Sequence, residues 1–249
     1  MRKLPVIIPS FHSRDLLLTC LRSFKKFEPS NELQYIIVEN SSDTSYKDEA
    51  LAIFGDSRTT WINNATKLDG SEANAEAIDI AVRQLGSSKW VFICHVDVCV
   101  TSHSFFPALK EKAQNNELVG TVIDPARINA VHVSGLLCSV RIASEINFAP
   151  RYENGKQVMD AGDELTEYCN KNAMRFYCFR NTFNTPSFIG TLPEKYAQLH
   201  VDRCLDDNGN VMFMHLGRGI PKTNKTYNKP GRVSLEEWVD FCDREILHD

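Results

Sequence analysis

Nothing in the 249 residues approaches the ~18 consecutive apolar residues of a spanning helix, so no membrane span is expected. The opening MRKLPVIIPSF carries two positive charges but only a five-residue apolar run broken by Pro9, which reads as a first strand rather than a signal peptide. No lysine- or arginine-rich run occurs and the net charge is −4, which argues against a nucleic-acid partner. The eight cysteines, Cys20, Cys94, Cys99, Cys138, Cys169, Cys178, Cys204 and Cys242, include no CxxC pair and no zinc-ribbon spacing. Most sit inside apolar patterns, where a free thiol acts as a small hydrophobe, and a reducing, cytoplasmic setting is expected. A GxGxxG after the first strand is missing, which removes the dinucleotide fingerprint. The absence of GxxxxGK(S/T) removes the P-loop reading. No HExxH, repeat or low-complexity segment is present.

What is there is an ordinary globular composition, 43% hydrophobic and 24% charged, enough for a sizeable core. The first hundred residues alternate apolar strands with helices: Leu4–Ile8, Tyr35–Val38, Thr59–Ile62 and Trp90–Cys94 are nearly continuous in apolar residues. Between them lie a helix capped by Ser13 and buried through Leu17, Cys20, Leu21 and Phe24, and a short helix over Tyr46–Phe54. A third helix is expected to be capped by Ser71 and buried through Ile78, Ala81, Val82 and Leu85. Such alternation signals an α/β fold with a mostly parallel central sheet covered by helices on both faces. Polar clusters follow strands one, two and four, where open α/β sheets bind ligands.

The organising stretch is Lys89–Thr101, KWVFICHVDVCVT. Its apolar run ends in His95 and Asp97, which flank Val96 and point the same way if the chain stays extended. An imidazole and a carboxylate at the mouth of a buried strand are costly to desolvate and suggest a divalent metal site. The plainer reading is a strand-to-turn junction in which Asp97 caps a turn and His95 is half exposed.

The second half changes character. A helix is expected over Ser104–Ala113, and strands over Val131–Val140 (with Gly135 at a kink or close approach), Arg175–Phe179 and Val211–Met214. Asp160-Ala161-Gly162-Asp163-Glu164 precedes helical spacing through Leu165, Tyr168, Cys169 and Asn172, and acids in a first turn suit the helix dipole in any case. The segment His215-Leu216-Gly217-Arg218-Gly219 follows the last strand. Pro221–Gly231, with Lys222, Lys225 and Lys229, reads as a mobile loop. Ser234 and Glu237 form a capping box for a final helix with Leu235, Trp238, Val239, Cys242 and Ile246 on one face.

The ordered set VIIPSF, VENSSDTS, NNATKLDGSEANAEAI, HVDV and HLGRG resembles family-2 glycosyltransferases of the GT-A fold, from Leu4 to about Thr223. The resemblance implies a single GT-A-like domain over 1–249. Residues 1–101 would form the nucleotide-sugar-binding half, 102–223 the acceptor half, and 224–249 a terminal loop and helix. It implies transfer from a nucleoside-diphosphate sugar to a glycan or other hydroxyl-bearing acceptor, inverting, assisted by Mn2+ or Mg2+. HVDV stands where the family has Asp-x-Asp, so Asp97 and His215 are the implied metal ligands. His95 replaces the first aspartate and is left to hydrogen-bond ribose or to serve structure. Pro9, Ser10, Phe11, Glu39, Asn40, Asp69, Gly70, Asn74, Val96 and Arg218 would complete the nucleotide-sugar site. The base that takes the acceptor proton is expected in DAGDEL, as Asp163 or Asp160, with Asp163 slightly preferred.

Two other readings remain open from sequence. A sugar-nucleotide-binding module without catalysis is conceivable because His95 departs from the motif. A metal-dependent hydrolase using His95, Asp97, His103 and His215 would need a compact multi-ligand site.

Overall fold

The computed structural model describes residues 3–29, 31–55, 57–217 and 233–248. Strands and helices alternate through β1 (Leu4–Ser10), α1 (Arg14–Phe27), β2 (Leu33–Glu39), α2 (Lys47–Phe54), β3 (Thr59–Asn63), α3 (Gly70–Val82) and β4 (Trp90–Cys94). Next come β5 (Val98–Val100), α4 (Phe105–Lys112), β6 (Leu118–Gly120), β7 (Ile123–Asp124), β8 (Ala130–Val131), β9 (Gly135–Ser139) and α5 (Val140–Ala143). A hairpin of β10 (Arg151–Glu153) and β11 (Lys156–Met159) leads to α6 (Asp163–Lys171), β12 (Phe176–Cys178) and β13 (Arg180–Asn181). The chain continues through α7 (Glu194–Ala197), β14 (Asp202–Leu205), β15 (Val211–His215) and α8 (Leu235–Phe241).

Seven strands form the main sheet in the order β12-β6-β9-β4-β1-β2-β3. Only β9 runs against its neighbours, so the sheet is mostly parallel. Residue alternation divides its two faces cleanly. Val6, Ile8, Tyr35, Ile37, Phe92 and Cys94 enter one core with α1, α4 and α8. Ile7, Ile36, Val38, Val91 and Ile93 enter the other, with α3, α5 and α6. Continuous apolar strands are what two buried faces require. Four strands, β13-β14-β15-β5, form a second, antiparallel sheet. The chain therefore leaves the main sheet at Cys94 and enters the second at Val98, with His95-Val96-Asp97 as the joint.

Local differences from the sequence expectations have local causes. Asp69, extended at φ −131°, holds the α3 cap position expected of Ser71, while the Ser71 side chain hydrogen-bonds Asp160 instead. The Val131–Val140 run is split, because β8 pairs with β7 and only β9 joins the main sheet. Gly135 is a close approach, since a Cβ there would lie 2.9 Å from both Phe213 Cζ and Thr121 Oγ1. The α8 capping box forms with both of its hydrogen bonds. All eight cysteines are free thiols and seven are buried. Among the described residues no helix is long and apolar enough to cross a membrane.

Gly162 fixes where α6 starts: its φ is +80°, and an added Cβ would sit 2.2 Å from Val133 Cγ1. Backbone strain and overpacking each cost about 1–3 kcal/mol. Gly162→Ala should therefore lower the unfolding free energy by at least about 2 kcal/mol. A urea titration with an unchanged midpoint would contradict this packing.

Candidate active site at the sheet junction

The joint places Asp97 beside β15, because Val98 and His215 are register partners and the Leu216 N–H donates to the Asp97 carbonyl at 2.9 Å. Asp97 Oδ1 lies 3.4 Å from His215 Nε2 and 3.9 Å from His95 Nδ1. The far nitrogen of His215 faces Asp202 Oδ2 at 3.5 Å, from the neighbouring strand β14. Asp97 is 1% exposed, whereas the His95 side chain keeps 23% of its surface open. His95 and Asp97 thus share a side, although the strand is interrupted between them.

The ligand atoms of His95, Asp97 and His215 lie within 4.8 Å of one another. Two imidazoles and one carboxylate, converging at the sheet junction, fit a divalent ion of the manganese, cobalt or zinc kind better than one restricted to oxygen ligands. Burial alone would lower the His215 pKa, but Asp97 and Asp202 outweigh it and raise it to about 9. Burial, reinforced by His132, holds His95 down at about 3. His132 is held at about 4 by burial and by His215. At neutral pH the metal-free cluster therefore carries an imidazolium on His215, beside the carboxylate that a metal would bind.

His132 was not anticipated. Its ring centroid lies 5.3 Å from that of His95 and 6.1 Å from that of His215. Its Nδ1 accepts the Ser134 N–H at 3.2 Å, so the neutral ring carries its proton on Nε2. Ser134 in turn offers its carbonyl to the His95 N–H at 3.4 Å. The hydroxyls of Thr121 and Ser134 are buried at this edge without partners. The sequence signal was a histidine two residues before a serine, which no motif distinguishes from an ordinary turn.

At the end of β2, Glu39 is fully buried and its carboxylate accepts from the Ser41 N–H at 2.9 Å, the Ser41 hydroxyl at 2.5 Å and the His12 N–H at 3.3 Å. The Tyr46 hydroxyl donates to its other oxygen and lies 3.4 Å from Ser10 Oγ. Asn40 donates to the Ala73 carbonyl at 2.8 Å and accepts from Asn64 at 2.9 Å, fastening β2 to α3. Pro9 is in register with Val38, and Phe11 packs edge-on to His12. Asn74 of α3 reaches His95 Nε2 at 3.2 Å. Val96 is buried, while Asp69 and Gly70 are exposed at the start of α3. His103 is exposed, with Nδ1 2.9 Å from the Phe27 carbonyl, and is not part of the cluster. Arg218 and the Pro221–Gly231 segment lie outside the described residues.

The two acids of DAGDEL differ in their surroundings. Asp163 is 1% exposed, 3.0 Å from Arg127 Nε, and accepts the Asp160 N–H at 2.7 Å. Burial raises its pKa above the usual carboxylate value, against the opposing Asp160 N–H and Arg127. Asp160 retains 22% of its side-chain surface and pairs with Arg127 Nη2 at 3.2 Å. Burial would raise it too, but hydrogen bonds from Ser71 and Ala161 and the charge of Arg127 hold it below the usual value. Asp160 acts electrostatically on both His95 and His132. Arg127, also paired to Asp124 at 2.8 Å, is the cation that holds this acidic turn together.

A profile of Glycosyl transferase family 2 matches residues 6–183. No curated protein sequence matches the chain significantly. Among solved structures, the mannosyltransferase PcManGT from Pyrobaculum calidifontis, in complex with GDP-Man and Mn2+, is similar at TM-score 0.54 and 14% identity. The match covers 72% of this chain and 55% of that one, so the chain spans about half of that relative's length. Glucosyl-3-phosphoglycerate synthase from Mycobacterium tuberculosis, with Mn2+, UDP and phosphoglyceric acid, is similar at TM-score 0.52 and 12% identity, covering 71% and 68%. An active-site mutant of LgtC is similar at TM-score 0.60 and 12% identity, covering 96% of this chain and 95% of its own. At such identities the likeness is one of fold, and that fold is GT-A.

The His215 pKa has two consequences of opposite sign. In the metal-free protein its pairing contributes stability that is complete below its ordinary value of 6.5 and is lost as pH rises through about 9. Metal binding must displace that proton, so Mn2+ affinity measured by calorimetry should rise about tenfold per pH unit between pH 7 and 8.5. His215→Ala should flatten the slope. A pH-independent affinity in the unaltered protein would remove His215 from the ligand set.

Proposed function

Because the chain belongs to glycosyl transferase family 2, we propose that it moves a sugar from a nucleoside-diphosphate donor to an acceptor hydroxyl. The observation that carries this reading is the convergence of His95, Asp97 and His215 at the carboxyl end of β4. A divalent ion held there would neutralise charge developing on the departing diphosphate. The neighbours solved with Mn2+ support that assignment. The donor set favours Mn2+ over Mg2+, since imidazole suits magnesium poorly.

The nucleoside lies along Pro9-Ser10-Phe11 and the end of β2. Glu39, with its oxygens engaged by Ser41, His12 and Tyr46, shapes this pocket by fixing the two loops. His95 and His132 are packed edge to face and both feel the charge of Asp160 in the acidic turn.

For an inverting transfer one carboxylate must take the acceptor proton. We assign this to Asp160, which is partly open and close to His132, and give Asp163 the task of holding Arg127 and the turn. Held below the usual range, Asp160 stays ionised at neutral pH, so with Mn2+ kept saturating the rate should not fall until the solution is distinctly acidic.

Thermal shift of the unaltered protein against nucleotide sugars, with and without Mn2+, should identify a donor that raises the melting temperature only with metal. With that donor, Asp160→Asn should lower turnover about 10²–10⁴-fold and leave donor binding intact. Asp163→Asn should mainly cost stability, about 1.5–3 kcal/mol for a charged hydrogen bond. The opposite pattern would move the base to Asp163. No donor binding at all would overturn the proposed function.

A further inference from the structure

We propose that Asn74 sets the tautomer of His95, and with it the number of metal ligands the cleft offers, an inference that rests on the metal-assisted reading above. The Asn74 amide stands 3.2 Å from His95 Nε2, and the other ring nitrogen, Nδ1, faces Asp97 Oδ1 at 3.9 Å. A neutral imidazole has one protonated nitrogen and one lone pair, so the group at Nε2 decides what Nδ1 presents to Asp97. With the amide NH2 toward Nε2, as in the metal-free arrangement, Nε2 accepts and Nδ1–H points at Asp97. With the amide turned over, its oxygen accepts Nε2–H and the Nδ1 lone pair faces the space between Asp97 and His215.

Only the second arrangement makes His95 a ligand. The first turns its N–H toward the carboxylate at 3.9 Å, too far for a hydrogen bond but leaving no lone pair for an ion, and the site then has two protein ligands. Two changes separate them: the side-chain amide rotates about its last bond, and the ring proton leaves Nδ1 while another is taken up at Nε2, both by exchange with solvent through the exposed edge of His95. Asn74 sits on the second turn of α3, and Asn40 ties this helix to β2 through the Ala73 carbonyl. The end of β2 and the metal site are thereby joined through two side chains, Asn40 and Asn74. Asn74 is a positioning residue in this scheme, acting through His95.

The test is calorimetric titration of Mn2+ alone, without nucleotide, into the full chain and its variants. Asn74→Leu removes the acceptor and should weaken Mn2+ binding about ten- to a hundredfold. Asn74→Asp offers only acceptors, locks the ligand tautomer, and should bind at least as tightly as the unaltered protein. Extra negative charge could produce the same gain, so both changes are repeated with His95→Gln, where each should shift affinity less than about twofold. Circular dichroism confirms that each variant is folded.

Equal weakening by Asn74→Asp and Asn74→Leu would overturn the proposal, as would effects that persist with His95→Gln or an absence of Mn2+ binding by the folded protein. If Mn2+ binding ignores Asn74 while nucleotide-sugar turnover still requires metal, this inference falls and the proposed function stands. Failure of the unaltered protein to bind any nucleotide sugar would instead count against the proposed function.

Discussion

A carboxylate buried where one sheet hands the chain to another is the constraint on which this structure turns. Asp97 is 1% exposed, and an ion that deep requires positive charge beside it. The antiparallel pairing of β5 with β15 meets that requirement by bringing His215 to 3.4 Å. Asp202, on the next strand, then reinforces the charge on His215 from its other side. A proton on His215 balances the cluster in the absence of metal, and a divalent ion is the natural replacement for it. The second sheet is therefore more than a cover for the core, since it delivers the imidazole across 118 residues of sequence from Asp97 (215 less 97).

The main sheet supplies the other half of the site. Its parallel strands β1, β2 and β4 all end at the same edge, where Ser10, Glu39 and His95 lie. Glu39 and Asn40 are held by hydrogen bonds within the protein, which stiffens the edge on which a nucleoside would rest. In the acidic turn before α6, Arg127 gathers Asp124, Asp160 and Asp163 around a single guanidinium. Separate elements thus bring a candidate metal-binding cluster together at the sheet junction, with Asp160 of the acidic turn acting electrostatically on His95 and His132.

The parallel half of this fold is legible in the sequence because burial on both faces leaves a continuous apolar run, and Leu4–Ile8, Tyr35–Val38 and Trp90–Cys94 show it plainly. The order of polar clusters after those runs carried the family resemblance, and the family profile agrees with it. The antiparallel sheet was mostly hidden. Its β13 and β14 are two and four residues long, and β14 contains Arg203, a fully buried cation that spoils the apolar pattern. That guanidinium is satisfied by the carbonyls of Tyr196, Leu199 and Val201, a solution that only tertiary structure reveals. His132 and Arg127 were missed for a similar reason, since each gains its meaning from neighbours far away in sequence. Asp160 and Asp163 could not be told apart by spacing, and differ only in how each faces Arg127 and the histidines.

The central claim, a divalent ion held by this cluster beneath a nucleoside diphosphate, is tested most directly by anomalous diffraction at the manganese edge from crystals grown with Mn2+ and a nucleoside diphosphate. The account predicts one strong peak in contact with Asp97 and His215 and with the diphosphate oxygens. A diphosphate bound with no ion beside it, or a manganese peak away from the β4–β15 junction, would contradict it.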